Sequence, residues 1–560
     1  MVYFIKLDGG LAMQLRAITL AALGGLLLIS GLPLGADTLI ENVQGYTWRE
    51  NGLHTFQALR FDQNGRIVAT YDNATIPDAP TLQRIDGAGA TLIPGLVDAH
   101  GHVLMLGHAR TRADLVGTRS RAEAVARVAD YARQNPDVPW ILGRGWNQVL
   151  WQDNRFPQAA DLDELAESRP IWLGRIDGHA AWANTAAMTA AGISNTTPDP
   201  HGGRILRDAD GSATGVFVDA ATALIDRVVP PPTADQDRRA LSAALTELAS
   251  VGLTSVHDAG IDLRTAKLYR ELGAANRLPI RVYAMLSEEV YRDFGEPMTD
   301  DGTGFLAIQS VKVYLDGALG SRGAAMIEPY SDKPGEHGLL FKKTDQFAQL
   351  VGDASKRGFQ VNAHAIGDAA NQVALDGFAA KDARSELRHR IEHAQVIRIS
   401  DIPRFAKLGV IASMQPTHAG SDKNMAKDRI GADRILGAYA WRTLLDTGAV
   451  LAAGSDFPVE PAEPLYGLHA AVTRQDRNDM PAGGWYKDQA LQMDEALRVF
   501  TLDAAYAARQ ENQLGTLEPG KRADFVLLDE NIFKIPAREI WRAKVRETWV
   551  NGVCIYRAED

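Results

Sequence analysis

The chain holds one cysteine in 560 residues. Cys554 excludes an intrachain disulfide framework and any Cys-x-x-Cys metal site, so a metal here has to be held by histidine, carboxylate or a modified lysine. Cysteine usage leaves the redox compartment open. Basic runs are absent as well, and the net charge is −11 with a pI near 5.7. That balance argues against nucleic acid or an anionic membrane surface as partner and in favour of a small molecule. There are no internal repeats, and no low-complexity segment follows the N-terminal region. With 46% hydrophobic and 23% charged residues, the composition is neither disordered, collagenous nor multi-span membrane. The length fits a β/α barrel, which takes roughly 250 residues or more as one unit, together with a smaller β domain.

The N-terminus carries an address. Arg16 precedes the apolar run ITLAALGGLLLISGLPLGA, which ends in small residues at Gly35 and Ala36 before Asp37. This is the charged-then-apolar order of a secretory signal peptide. Translation from Met13 would give the compact start MQLR directly before the run, which makes Met13 an alternative start. Residues 1–36 are expected to be removed on export, leaving a periplasmic or secreted protein with no stable membrane association. The alternative is an uncleaved anchor, because Ala17 to Leu34 approaches the roughly 18 to 20 apolar residues that span a bilayer. Gly24, Gly25, Gly31 and Pro33 interrupt that run.

Residues 38–92 alternate apolar and polar with turns between, as in HTFQALRF, DQNG and RIVATY, a β-hairpin pattern. The C-terminal segment repeats it, with FVLLD, RETWV and VCIYR and a hairpin turn signal at Asn551-Gly552. The two β-rich ends are expected to form one sheet domain. Between them, apolar runs alternate with helical patterns, as in βα units around a parallel sheet. One such helix starts at a capping box of Ser120 and Glu123 and places Ala122, Val125, Val128, Ala129 and Ala132 on one face. The predicted barrel strands are TLIPGLVDAH, PIWLGRID, GLTSVHDAG, IQSVKVYLDG, FQVNAHAIGD, HRIEHAQ, GVIASMQPTH and VLAAGSDFPV. WILGRGW at 140–146 is a further strand-like run, and with residues 147–230 it makes a stretch too long for one βα connection. That region is read as an inserted lid or substrate-facing subdomain.

Alternate residues of a strand point the same way, so His100 and His102 in DAHGHV project together from one strand end, a geometry that suits one metal ion. Barrel enzymes keep their active sites at that end. Lys312 in SVKVYLDG, His364 in VNAHAIGD, His393 in RIEHAQ and Asp456 in AAGSDFPV sit at the ends of other predicted strands. An ammonium at Lys312, within an apolar strand aimed at cations, is disfavoured by desolvation and repulsion. It makes sense once the amine has reacted with carbon dioxide to give an anionic carbamate bridging two metals.

With these pieces assembled, the sequence resembles the amidohydrolase superfamily, and within it the YtcJ-like group of amidohydrolase family 3 that includes N-substituted formamide deformylases. The resemblance runs from about residue 38 to the C-terminus through GLVDAHGHV, DGHAAWANTAAM, VKVYLDGALGSRGAA, NAHAIGDAA, HRIEHAQ, GSDFPVEP and LGTLEPGKRADFVLLD. It implies an α/β fold: a (β/α)8 barrel over residues 93–500 with an insertion at about 140–230. A composite β-sandwich would be built from residues 37–92 and 501–560. It also implies two divalent ions, His100, His102 and Asp456 holding one and His364 and His393 the other, with carbamylated Lys312 and a hydroxide between them. Imidazole and carboxylate ligands favour Zn, with Fe or Mn as alternatives. Asp456 is the expected proton carrier.

Four residues are weaker, substrate-facing candidates: His179 in the insertion, His257 at a strand end beside Asp258, Arg322 in GALGSRGAA, and Trp146, which with Trp151 and Trp182 could form an aromatic wall. The expected reaction is hydrolysis of a C–N bond in an amide, N-acyl or formamide-like small molecule. Ester or lactone hydrolysis on the same metals is the alternative chemistry, and a non-catalytic secreted binding protein is the alternative of another class. A homodimer is the oligomer allowed for.

Overall fold

The computed structural model describes residues 36–165, 168–176, 180–380 and 382–559. The N-terminal segment read as an export signal, up to Gly35, and His179 lie outside the described residues. No helix among the described residues is long and apolar enough to cross a membrane.

The centre is an eight-stranded parallel sheet rolled into a barrel: β1 (Leu96–Gly101), β2 (Leu253–Ile261), β3 (Arg281–Ser287), β4 (Leu306–Tyr314), β5 (Gln360–Ala365), β6 (Arg390–His393), β7 (Ile411–Met414) and β8 (Leu451–Ala453). β8 returns to β1 through single hydrogen bonds, the Asp456 N–H to His100 O at 2.7 Å and the His102 N–H to Phe457 O at 2.8 Å. Asp98 on β1 braces the same seam by accepting the Ser455 hydroxyl at 2.6 Å. Gly101 is small for the sake of this closure. A Cβ there would stand 2.2 Å from the Phe457 ring, so the room beside His100 and His102 is filled by Phe457.

Two predicted strands are corrected. PIWLGRID is not in the barrel: Ile171–Arg175 pairs in parallel with Ile141–Trp146 and antiparallel with Ala180–Ala183, inside the inserted sheet. Its place belongs to β3, the run RVYAMLS, which pairs in parallel with β2 and β4. Both runs are apolar and buried, so periodicity does not tell them apart. Arg281 also disguises the start of β3, because the ion pair with Asp524 that makes its burial tolerable (2.7 Å) lies 243 residues away. The other correction concerns TLIPGLVDAH, which divides at Gly95. Thr91–Pro94 joins the terminal sheet, antiparallel to Phe525–Leu528, and only Leu96 onward enters the barrel.

That pairing knits the two chain ends. A six-stranded sheet, in the order 553–557, 545–550, 525–528, 91–94, 44–49, 52–56, faces a four-stranded sheet from residues 38–86. Ile40, Leu59, Phe61, Phe525 and Trp549 share the core of these sheets, with the Phe525 and Trp549 rings stacked at 5.3 Å. Truncating Trp549 to alanine is expected to cost about 3–5 kcal/mol. Asn551 and Gly552 (φ 53° and 74°) turn the terminal hairpin in the left-handed conformation their sequence signals.

Between β1 and β2 lies a second six-stranded sheet, in the order 203–207, 213–219, 180–183, 171–175, 141–146, 113–114. The insertion therefore begins upstream of residue 140, since helix Arg121–Gln134 packs into its core through Ala124, Val128 and Ala132. Ser120 caps that helix by accepting from the Glu123 N–H, while the Glu123 carboxylate accepts from Arg119. Ala122, expected on the buried face, is exposed.

Candidate metal centre

The histidines are aimed by what holds their far nitrogens. His102 Nδ1 donates to Ala259 O at 2.9 Å, which leaves the Nε2 lone pair 3.2 Å from Asp456 Oδ1. His100, wholly buried, turns Nδ1 to the carboxylate of Glu392 and Nε2 to Lys312 Nζ at 3.0 Å and Asp456 Oδ1 at 3.7 Å. His393 Nδ1 meets Gln415 Oε1 at 2.8 Å. Its ring lies 4.9 Å from that of His100 and 4.5 Å from that of His364. Second contacts of this kind fix tautomer and ring orientation before any ion arrives.

His393 and Asp456 have left-handed backbones, with φ of 72° and 62°. Such conformations cost of order 1–3 kcal/mol each and concentrate at functional sites. At His393 the consequence is visible. Strand alternation groups it with Ile391, opposite the barrel-facing Arg390 and Glu392, yet its ring meets those of His100 and His364 at the mouth.

Burial decides the charge states. It pushes the Lys312 amine down to about 8, and burial followed by the Lys312 charge lowers His100 to about 4 and His364 to about 3. These rings are neutral at pH 7 and keep their lone pairs. Burial alone would raise Asp456, but the neighbouring His102, His100 and His418 rings hold it at about 2. Burial would likewise raise Glu392, and the Arg390 guanidinium and His100 bring it well below the usual carboxylate range.

The donors suit a divalent cation. His364 Nε2, His418 Nε2 and Asp456 Oδ1 are buried with no hydrogen-bond partner, and leaving such atoms unsatisfied costs about 1–3 kcal/mol each. Among the described residues, two groups have donor atoms all within 4.8 Å of one another: His100, His102 and Asp456, and His393, His418 and Asp456.

The structure thus brings His100, His102, Lys312, His364, His393 and Asp456 together at the C-terminal mouth of the barrel. Of the weaker candidates that are described, it does not bring His257, Arg322 or Trp146 there. His257 is buried inside the barrel, accepting from Arg390 at 2.9 Å against the Tyr283 ring, and is not a substrate contact. Asp258 accepts the Val103 N–H and the Tyr269 hydroxyl. Arg322 is engaged by Asp332 at 2.9 Å. Trp146 is fully buried, donates to Leu173 O and packs with Trp151 and Trp182 in the core of the insertion, so it forms no ligand wall. Three residues escaped the sequence reading: His418, in the first turn of helix Pro416–Asp422, and the buried pair Arg390 and Glu392. Two charges at alternate positions of a short apolar strand were the available signal for that pair.

A parallel barrel with histidine and aspartate donors converging at its C-terminal mouth defines a metal-dependent hydrolase. The chain belongs to the amidohydrolase family, whose model matches residues 83–556, and to its YtcJ-like group. It is 32% identical over 519 residues to the protein YtcJ of Bacillus subtilis (strain 168), covering 91% of this chain and 98% of that one. It is 29% identical over 511 residues to N-substituted formamide deformylase of Arthrobacter pascens, covering 88% and 93%. An uncharacterized metal-dependent hydrolase from Pyrococcus furiosus has the same fold, with a TM-score of 0.75 at 28% identity over 89% of this chain and 100% of that one.

Proposed function

We propose that this metal-dependent hydrolase cleaves a C–N bond in an amide, N-acyl or formamide-like small molecule. The observation that carries the reading is Asp456: an ionised carboxylate, nearly buried, with one oxygen unpartnered beside His100 and His102. An amine leaves poorly unless it is protonated, and a carboxylate at the reacting centre can accept a proton from water and return it to the leaving nitrogen. Similarity to a protein named for deformylating N-substituted formamides supports the choice of bond.

His100, His102 and Asp456 would hold one divalent ion and His364 and His393 another. Zn is the favoured metal, with Fe or Mn as alternatives. Such ions supply Lewis-acid polarisation of a carbonyl and bring the pKa of water toward ~7. The Lys312 amine, buried and pushed toward neutrality, would attack carbon dioxide, forming an N–C bond and losing a proton, and the resulting carbamate would add an anionic donor to the site. Export with cleavage near Ala36 belongs to the same reading and rests on Arg16 and the apolar run. It is tested by N-terminal sequencing of protein from the native host.

The functional test is a screen of metal-loaded protein against N-acyl, formyl and matched ester libraries. Turnover of amides or formamides above matched esters is the expected result. Preference for esters or lactones replaces this reading with the esterase alternative, and no turnover with full metal occupancy leaves the binding-protein alternative.

A further inference from the structure

The geometry points to His418 as a ligand in the metal centre: with His393 and the Oδ2 oxygen of Asp456 it adds to the donor set of the second ion, so that Asp456 is shared between the two ions. The inference rests on the two-ion reading of the centre, and not on the choice of scissile bond.

His418 Nε2 is buried and has no hydrogen-bond partner. The nearest acidic atom, Asp456 Oδ2, is 3.8 Å away, beyond hydrogen-bond length. Two donors held at about 2.1 Å by one tetrahedral ion stand roughly 3.4 Å apart, so this separation suits a shared ion better than a direct contact. The other oxygen of the same carboxylate faces His102 at 3.2 Å and His100 at 3.7 Å. Asp456 therefore presents one oxygen to each side.

The backbone supports the same arrangement. Gln415, which accepts the Nδ1–H of His393, also stands immediately before the helix that carries His418, and the His418 N–H closes that turn on Gln415 O at 3.1 Å. One loop thus orients both rings, which lie nearly parallel with centroids 6.1 Å apart.

The test is competition titration of the full-length protein with Co²⁺ against a chromophoric chelator, with visible absorption of the bound cobalt read in parallel. Wild type is expected to take two ions. His418→Ala should keep the first and weaken the second by at least about 100-fold, the upper end of what losing even an outer partner does to metal affinity, with a changed cobalt spectrum. His418→Gln, which keeps a donor oxygen and the helix, should retain the first ion and bind the second with intermediate affinity. A wild type that binds one ion overturns the proposal. So do His418→Ala curves and spectra that superimpose on wild type, whatever happens to kcat, since a residue acting only on a proton leaves both ions in place. None of these readouts depends on turnover, so they stand apart from the outcome of the substrate screen.

Discussion

The Glu392 carboxylate receives the Nδ1–H of His100 in a contact with no solvent exposure on either side. Arg390 completes it. Its guanidinium faces Glu392 at 2.7 Å and also holds Ala99 O at 2.6 Å, the Ser413 hydroxyl at 2.8 Å and His257 at 2.9 Å. One buried ion pair therefore ties β1, β2, β6 and β7 together directly beneath the metal donors. Partners of this kind typically matter 10- to 100-fold in metal affinity. Glu392→Gln should weaken the ion held by His100 and His102 to that extent in chelator competition. Glu392→Ala should in addition lower stability by about 3–5 kcal/mol, because it leaves Arg390 buried and unpaired. Competition curves identical to wild type would remove Glu392 from the support of the centre.

Lys312 should be needed for the metal as well as for the reaction. Lys312→Ala is expected to lose metal and turnover together, and short carboxylic acids should restore part of both by standing in for the carbamate. Measuring metal content with and without added acid checks this, and retention of both ions in Lys312→Ala refutes the bridging role.

Asp456→Asn separates coordination from proton transfer. The amide oxygen can still coordinate weakly, but it cannot act as the base. Losing general acid–base help removes a factor of about 10² to 10⁴ from the rate, and poor leaving groups suffer most. An amide and an activated ester of the same acyl group, compared by kcat at verified metal content, should show the amide falling far more. Equal losses would indicate a ligand-only role.

Acid stability should report on His389, which immediately precedes β6. Its Nδ1 accepts the Val361 N–H at 3.0 Å and its Nε2–H is donated to Ala383 O, so the buried ring is held neutral, with Phe378 stacked on it. Burial depresses its pKa from 6.5 to about 4. A depressed histidine contributes stability that is fully present above pH 6.5 and is lost as pH falls through the window toward 4, because the unfolded chain takes up the proton first. The shift corresponds to about 3 kcal/mol. The Tm of wild type should therefore fall between pH 6.5 and 4 more steeply than that of His389→Gln, with metal-linked losses common to both. Parallel slopes would mean that His389 does not titrate in this range.

The sequence by itself carried the donors that occur in local motifs. His100 and His102 share a face through the two-residue period of one strand, Lys312 stands out as a charge in an apolar strand, and Asn551-Gly552 specifies its own turn. These readings need only neighbours along the chain. The tertiary structure decided the rest. Ile171–Arg175 and Arg281–Ser287 are equally apolar, and only their partners assign one to the insertion and the other to the barrel. His418 joins the centre because a helix after β7 turns it toward Asp456, and His393 because a left-handed residue breaks strand alternation. The pairing of Glu392 with a histidine 292 residues away was equally out of reach. Periodicity reports which face of an element is buried, whereas which element lies across from that face is set by packing that no local pattern encodes.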